Sequence, residues 1–339
     1  MMKRILFLLL TVMFSATGAV LNATAQNKKL CFRADGKFKI VQFTDDHVVW
    51  QDHRSDTAFA CIKHIIKIEK PDFIILTGDI IFSNPGIDNF KQVINYVASF
   101  KIPFAFVFGN HDQQFGATDS MLLNAVKDVP YNLTTTVAGV SGYSNFDLPV
   151  YSSNKQKIEA LIYGFDSHSF NGKYNQTGVS GYDYIFRDQI DWYVRTSRQY
   201  TAENGGQALP AVAFFHIPLP EYAYALTDPH VRYYGLQNEA ICSSPLNSGL
   251  FTAMKEQGDV MGVFCGHDHV NDYAANYNGI LLAYGRYSGG NTVYNDNKCN
   301  GARIIELSEG HRTIHSWIRL SDGSSRQNTF FPQDYIIKP

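Results

Sequence analysis

Short apolar runs alternate with amphipathic segments over the first third of the chain. Residues 38–43 (FKIVQF), 73–76 and 103–108 have the length and the β-branched and aromatic composition of strands. Between them, residues 56–69 and 89–100 carry apolar side chains at helical spacing. This alternation predicts an α/β domain in which helices connect largely buried strands.

The pattern changes in the second half, where strand-like runs follow one another without helices between them. Residues 210–215 and 260–264 are again short and apolar. The later runs are joined by Gly and Asn turns and comprise residues 272–277, 280–284, 302–307 and 313–320. We therefore predict a four-layer α/β fold, with two mixed β-sheets packed as a sandwich and helices outside.

Residues 118–187 follow neither pattern, and we predict that they form an irregular insertion over one edge of the sheets. Tyrosines are frequent between positions 131 and 193. They admit two interpretations, as the wall of a substrate pocket or as ordinary packing of the insertion.

The N-terminus has the features of a secretory signal peptide. Lys3 and Arg4 precede an apolar stretch, and residues 23–25 (ATA) resemble a cleavage site. Residues 1–25 are therefore predicted to be removed, leaving a single secreted or periplasmic domain at residues 26–339. An uncleaved N-terminal anchor is the alternative, but no second long apolar run exists, so we expect no stable membrane anchor.

Net charge and cysteine content bear on the possible partners and disulfides. The net charge of −2 and the lack of a basic stripe give no support for binding nucleic acid. Five cysteines leave at least one thiol outside any intramolecular pairing. Cys242 and Cys299 lie in polar, loop-like sequence and are the first pair to test as a disulfide, whereas Cys265 ends an apolar run and is predicted to be buried.

Five short segments place metal-binding or acid–base side chains directly after a predicted strand. They are residues 44–47 (TDDH), 78–79 (GD), 109–112 (GNHD), 215–216 (FH) and 266–269 (GHDH). The carboxyl ends of strands in α/β sheets converge on one crevice, so all five segments are expected to meet there. Taken singly, each residue also has a structural explanation, such as a turn residue or a buried core histidine.

Spacing within the segments indicates which side chains point together. Asp45 and His47 are two residues apart, as are His267 and His269, so each pair can face one way. The candidate metal ligands combine imidazole, carboxylate and amide oxygen: Asp45, His47, Asp79, Asn110, His216, His267 and His269. Such a set suits manganese, iron or zinc. Two divalent ions about 3.5–4 Å apart can promote displacement at phosphorus, and Asp79 is the obvious carboxylate to span them.

The ordered series D-x-H, GD, GNHD, H and GH-x-H resembles the calcineurin-like metallophosphoesterases. The resemblance implies a sandwich of two mixed sheets. It also implies one metal on Asp45, His47 and His269, a second on Asn110, His216 and His267, and Asp79 between them. His111 would protonate the leaving alcohol or stabilise the transition state, and Asp112 would orient His111.

A narrower resemblance is to purple-acid-phosphatase-like proteins, carried by residues 40–45 (IVQFTD), 216–222 (HIPLPEY) and 266–272 (GHDHVND). Purple enzymes have G-D-x-x-Y, with a tyrosine that ligates ferric iron. Here Phe82 occupies that position, and the chain has His47 where the purple enzymes have no histidine. We therefore expect a protein that is not purple.

These features predict hydrolysis of a small phosphomonoester by a water that two metals activate, without a covalent enzyme intermediate. Phosphodiesterase or nucleotide pyrophosphatase action on the same site is the alternative enzyme reading. A non-catalytic binding protein is the alternative from another class. Arg286 is a candidate contact for substrate phosphate, although a packing or surface role explains it equally simply.

Overall fold

The computed structural model describes residues 29–171, 178–295 and 299–337, so the predicted signal peptide, residues 1–25, lies outside the described residues. Across these ranges the chain forms sixteen strands and six α-helices. The strands are β1 (Leu30–Cys31), β2 (Lys37–Phe43), β3 (Phe73–Thr77), β4 (Phe104–Val107), β5 (Phe146–Tyr151), β6 (Ile158–Gly164), β7 (Phe170–Asn171), β8 (Gly181–Tyr182), β9 (Ala211–Phe214), β10 (Tyr233–Tyr234), β11 (Val260–Cys265), β12 (Ala274–Tyr277), β13 (Ile280–Tyr284), β14 (Gly301–Ser308), β15 (Ile314–Leu320) and β16 (Ser325–Phe331). The helices are α1 (Asp56–Glu69), α2 (Gly86–Ala98), α3 (Asp119–Val126), α4 (Arg187–Glu203), α5 (Glu221–Thr227) and α6 (Leu250–Gln257).

Two mixed sheets form the centre of the fold. The eight-stranded sheet has the order β1-β5-β6-β9-β11-β13-β12-β10, and the six-stranded sheet has the order β16-β15-β14-β2-β3-β4. Strands β2, β3 and β4 run parallel, as do β6, β9, β11 and β13. Antiparallel pairing joins β14, β15 and β16 at one side of the six-stranded sheet, and it joins β5 to β6 and β12 to β13 in the eight-stranded sheet.

Three clusters of buried apolar side chains separate the layers. One lies between the sheets, where Phe38 and Phe73 of the six-stranded sheet share a cluster with Phe214 and Phe264 of the eight-stranded sheet. The other two cover the outer faces of the sheets with α1 to α3 and with α4 to α6. Because β3 and β4 are buried on both faces, their sequences are almost entirely apolar rather than alternating, whereas β2 begins with the half-buried Lys37 and Lys39. The predicted four-layer sandwich is confirmed.

The segment at residues 118–187 is more regular than predicted. It forms α3 and contributes β5 and β6, which pair with each other and join the eight-stranded sheet next to β9. The description as an irregular insertion is therefore wrong for residues 119–126 and 146–164. Strand β5 contains Pro149 and has mostly half-buried side chains, which is why its sequence shows no strong strand pattern.

No helix in the described ranges combines the length and apolar character that crossing a membrane requires.

Arg303 on β14 holds the two sheets together from within the sandwich. Its side chain is fully buried. The guanidinium donates to the carbonyl oxygen of Tyr284, at the end of β13, and to that of Asp272 at 2.7 Å. A third donation reaches the Ser316 hydroxyl in its own sheet at 3.0 Å. A buried guanidinium is tolerated because several acceptors surround it.

We expect Arg303→Leu to lower the free energy of unfolding by about 3 kcal/mol, because it leaves buried carbonyl groups without donors. Urea unfolding of the metal-free protein measures the change. Arg326→Leu, at an exposed position on β16, is the matched control and should change stability by less than about 0.5 kcal/mol. Equal effects of the two substitutions would contradict the role of Arg303.

Candidate metal centre

Five strand ends from both sheets meet at one edge of the sandwich. Strands β2, β3 and β4 of one sheet and β9 and β11 of the other each end just before a predicted site segment. The seven candidate ligands are all buried, the most accessible being His267 at 8% exposed. The structure therefore brings together residues that are up to 224 positions apart, from Asp45 to His269.

The side chains form two groups that share one carboxylate. Ligand atoms of Asp45, His47, Asp79 and His269 lie within 4.8 Å of one another, and so do those of Asp79, His216 and His267. Asn110 extends the second group, with its Oδ1 3.1 Å from Nε2 of His216. The Oδ2 atom of Asp79 is 3.6 Å from Nε2 of His47 and 3.2 Å from Nε2 of His216, so it faces both groups.

Imidazole nitrogens face each other within each group. Nε2 of His47 is 3.0 Å from Nε2 of His269, and Nε2 of His216 is 3.3 Å from Nδ1 of His267. In neutral His216 and His269 the opposite nitrogen donates to a backbone carbonyl, that of Thr77 at 2.7 Å and of Tyr294 at 3.1 Å. Both Nε2 lone pairs are then directed into the site. Metal-binding histidines are usually oriented in this way, by a hydrogen bond from the other ring nitrogen. The two groups suit a dinuclear metal site.

The backbone at the strand ends is strained in a way that aims these side chains inward. Asp45 (φ 56°), His47 (φ 43°), Asp79 (φ 52°) and His267 (φ 81°) all adopt left-handed conformations that L-residues rarely occupy. Such conformations cost about 1–3 kcal/mol each and persist where the surrounding structure enforces them, often at functional sites. Gly109 allows the tight approach of two turns, since a Cβ there would overlap the backbone nitrogen of Asp79.

Asp112 has a different role from the one predicted. Its carboxylate accepts hydrogen bonds from the backbone N–H groups of Gly109, Ile80, Ile81 and Asp79 at 2.8–3.1 Å. It therefore joins the turn after β3 to the turn after β4 rather than contacting the ring of His111. Burial, with the nearby charge of Asp79, raises the pKa of Asp112 to about 7.

His111 lies on the open side of the cluster, with its side chain 32% exposed and Nε2 4.0 Å from Oδ2 of Asp79. Its backbone N–H donates to Oδ1 of Asp79 at 2.8 Å. The ring is oriented by Gln114, whose Oε1 is 2.8 Å from Nδ1 of His111. Sequence reasoning missed Gln114; its signal was a polar residue three positions beyond His111, at helical spacing.

Phe82 contacts the site through an apolar ring. Its centroid lies 5.1 Å from those of His47 and His111, edge-on to both. The place of the purple-enzyme tyrosine is therefore next to the candidate ligands, and phenylalanine there offers no oxygen to a metal.

Arg286 is buried and forms an ion pair with Asp272. It is 1% exposed, and its guanidinium binds the Asp272 carboxylate at 2.8 Å and the carbonyl oxygen of Cys299. Burial and the ion pair with Asp272 favour the packing interpretation of this arginine over a contact with substrate.

The cysteines are all unpaired in this structure, so Cys242 and Cys299 are not joined. Cys265 is buried at the end of β11, as its apolar context predicted.

The tyrosine-rich segment contributes one residue beside the candidate site and others to the packed core. Tyr182 packs edge-on against His267, with ring centroids 4.4 Å apart, and so lies beside the candidate site. Tyr163 and Tyr193 are instead buried in the core, where their hydroxyls donate to Asp259. Tyr294, outside that segment, stacks on His269 with centroids 4.4 Å apart. Only the folded chain shows that Tyr294 is a neighbour of the site.

The charges of the cluster are strongly coupled. Burial disfavours a charged Asp79, but the charge and hydrogen bond of His216, together with the charges of His47 and His111, hold the pKa of Asp79 well below its usual range. Burial likewise acts to lower the pKa of His216, yet the charge and hydrogen bond of Asp79, with the charge of Asp45 and the Thr77 carbonyl, raise that pKa to about 10. Burial raises the pKa of Asp45 to about 7. In the metal-free protein, a proton on His216 thus supplies positive charge that Asp79 requires.

The chain has a metallophosphoesterase fold, and its buried cluster of Asp and His side chains suits a dinuclear metal site. A family model described as calcineurin-like phosphoesterase matches residues 38–271, and the chain belongs to that family.

Relatives identify the branch. The chain is 32% identical over 347 residues to probable inactive purple acid phosphatase 29 of Arabidopsis thaliana, which covers 88% of this chain and 86% of that protein. It is 30% identical over 334 residues to phosphatase DCR2 of Saccharomyces cerevisiae, covering 86% of this chain and 55% of that protein. A dimetal phosphatase from Danio rerio shares the fold, with a TM-score of 0.59 at 11% identity over 86% of this chain and 99% of that one. The purple-acid-phosphatase-like resemblance is thus confirmed.

We expect Asp112→Ala to lower the free energy of unfolding of the metal-free protein by about 3 kcal/mol, because buried N–H groups lose their acceptor. It should also weaken metal binding, since the turns carrying Asp79 and Asn110 lose their connection. Urea unfolding and metal titration measure the two effects. Asp128→Ala removes an exposed carboxylate and serves as control; an Asp112→Ala protein as stable as that control would refute the assignment.

Metal affinity should rise with pH. The lone pair that His216 needs for a metal is protonated in the metal-free protein up to its pKa of about 10, so a cation must displace that proton. Between about pH 6 and about pH 9 the apparent affinity should increase several-fold per pH unit. Calorimetric titration with Mn²⁺ in two buffers of different ionisation enthalpy measures the proton release. Heats that do not depend on the buffer would contradict this expectation.

Proposed function

We propose that this protein is a secreted hydrolase of small phosphomonoesters that uses two divalent metal ions. The observation that carries the proposal is the sharing of Asp79 by two groups of buried donors. A site for a single structural metal ion would not need a second group of ligands next to the first. A carboxylate between two cations suits a reaction in which one phosphoryl group is held from both sides.

In this proposal Asp45, His47 and His269 hold one metal, and Asn110, His216 and His267 hold the other, with Asp79 common to both. Nitrogen and oxygen donors without thiolate favour manganese, iron or zinc. The cations, when bound, polarise the phosphoryl oxygens and lower the pKa of a water. The protein supplies the rest by holding seven donors on rigid strand ends, so that little reorganisation accompanies the reaction.

His111 is the proposed proton donor to the leaving alcohol. It lies at the edge of the cluster and is the part of the site that solvent reaches, with its side chain 32% exposed. Gln114 fixes its ring from the Nδ1 side, which leaves Nε2 directed toward the shared carboxylate and the space where a phosphate would bind. A positioned imidazole of this kind contributes about 10²- to 10⁴-fold to a rate.

Phe82 favours a pair of divalent ions over a ferric centre, since the position lacks the phenolate that stabilises ferric iron in purple enzymes. The N-terminal sequence supports export, through the basic start, apolar stretch and small-residue cleavage site.

A non-catalytic binding protein is the second candidate. It is favoured by the word "inactive" in the name of the Arabidopsis thaliana relative. Against it, this chain has a complete set of donors in two adjoining groups and a histidine at their open side.

The decisive experiment is hydrolysis of para-nitrophenyl phosphate and of bis-para-nitrophenyl phosphate by the purified protein loaded with Mn²⁺, Zn²⁺ or Fe²⁺. We expect turnover of the monoester that Asp79→Ala abolishes. His111→Gln should retain two metals per chain but lose at least about 100-fold in kcat. His230→Gln, an exposed histidine far along the chain, is the matched control and should behave like the unmodified protein.

Preference for the diester would replace the monoesterase proposal with phosphodiesterase action. Inactivity on both substrates with two metals bound would favour the binding protein. Failure to bind metal at all would refute the assignment of the seven donors.

A further inference from the structure

Aromatic side chains border the candidate metal centre on the side of the second donor group. Tyr182, on β8, meets the ring of His267 edge-on at 4.4 Å between centroids. Phe170, on β7, packs edge-on against Tyr182 at 5.2 Å and is 52% exposed. The antiparallel pair of β7 and β8 therefore presents one ring to a candidate ligand and leaves a second, fully apolar ring half exposed to solvent.

A third aromatic ring borders the other donor group. Tyr294 stacks on His269 with centroids 4.4 Å apart and planes inclined by 23°, and it is 54% exposed. Its hydroxyl donates to Oε2 of Glu239 at 2.9 Å, while Oε1 of Glu239 accepts the backbone N–H of Val270 at 2.7 Å. Tyr294 is thus fixed to the same segment that carries His269, with much of its surface still accessible.

The rings are placed where the non-phosphate part of a substrate would lie. A phosphoryl group at Asp79 would have donor histidines on both sides, and each of those sides continues into an exposed aromatic ring. Arg286, the cation that the sequence offered for substrate binding, is instead buried against Asp272. Large exposed apolar surfaces beside a polar site mark binding surfaces for ligands, because covering them removes apolar area from water.

We propose that Phe170, Tyr182 and Tyr294 form an aromatic border that selects phosphate monoesters of planar, apolar alcohols. This inference rests on the proposed function and specifies its substrate class. A planar apolar group can stack on, or meet edge-on, the exposed rings, whereas a polyol gains little from them. The hydrogen bond to Glu239 keeps one side of the border rigid, which limits the entropy lost on binding.

Substrate preference tests the border. The metal-loaded protein is compared on phenyl phosphate and glycerol 2-phosphate, by kcat/KM, for the unmodified chain, Phe170→Ala, Tyr182→Ala and Tyr182→Phe. Phe170→Ala and Tyr182→Ala should lose roughly threefold to tenfold on phenyl phosphate and less than about twofold on glycerol 2-phosphate. Tyr182→Phe keeps the ring and should retain the preference. Phe330→Ala removes a similarly exposed ring on β16 and should change neither substrate.

A binding measurement separates this inference from the proposed reaction. Phenylphosphonate and methylphosphonate are not hydrolysed, and their affinities for the metal-loaded protein can be compared by calorimetry. Tighter binding of phenylphosphonate that Phe170→Ala reduces would support the border even if no ester is hydrolysed. Equal affinities, or an equal loss on both substrates in the alanine variants with the metal content unchanged, would overturn it.

Discussion

The buried carboxylate of Asp79 is the feature on which the rest of this structure depends. Five strand ends from two sheets converge on it, and both groups of candidate ligands include it. A carboxylate in such a position is costly unless positive charge is close by. The segments after β2, β4, β9 and β11 each supply histidines. In the metal-free protein the positive charge beside Asp79 comes from a proton on His216, and bound metal ions would supply it instead.

Holding that carboxylate in place requires unusual local structure. Asp79 itself has a left-handed backbone, and its Oδ1 is occupied by the N–H of His111. Asp112 accepts N–H groups from both neighbouring turns, and Gly109 permits their close approach. The strained backbone and the buried charges both occur only in the folded chain, where the candidate ligands are together. Folding and metal binding should therefore stabilise each other.

The strands and the connections between them contribute different groups to the candidate site. The ends of the strands position the candidate ligands. The connections between them carry the groups that face solvent: His111 with Gln114, the hairpin bearing Phe170 and Tyr182, and the loop bearing Tyr294. Connections tolerate sequence change better than buried strands, so the surroundings of the candidate site can change while the fold is kept.

The sequence by itself determined the layered class and strands β2 to β4, β9 and β11 to β15, and it singled out the seven candidate ligands. Apolar periodicity is local, and in parallel strands a polar residue just after an apolar run lies at the shared edge of the sheet, so order along the chain already implies proximity. Tertiary structure alone decided the partners of individual side chains. Arg286 pairs with Asp272 in the interior, Asp112 binds backbone rather than His111, and β5 and β6 join the main sheet despite weak patterns. These outcomes depend on which distant segments pack together, and that is set by the burial of the whole sandwich rather than by any local run of residues.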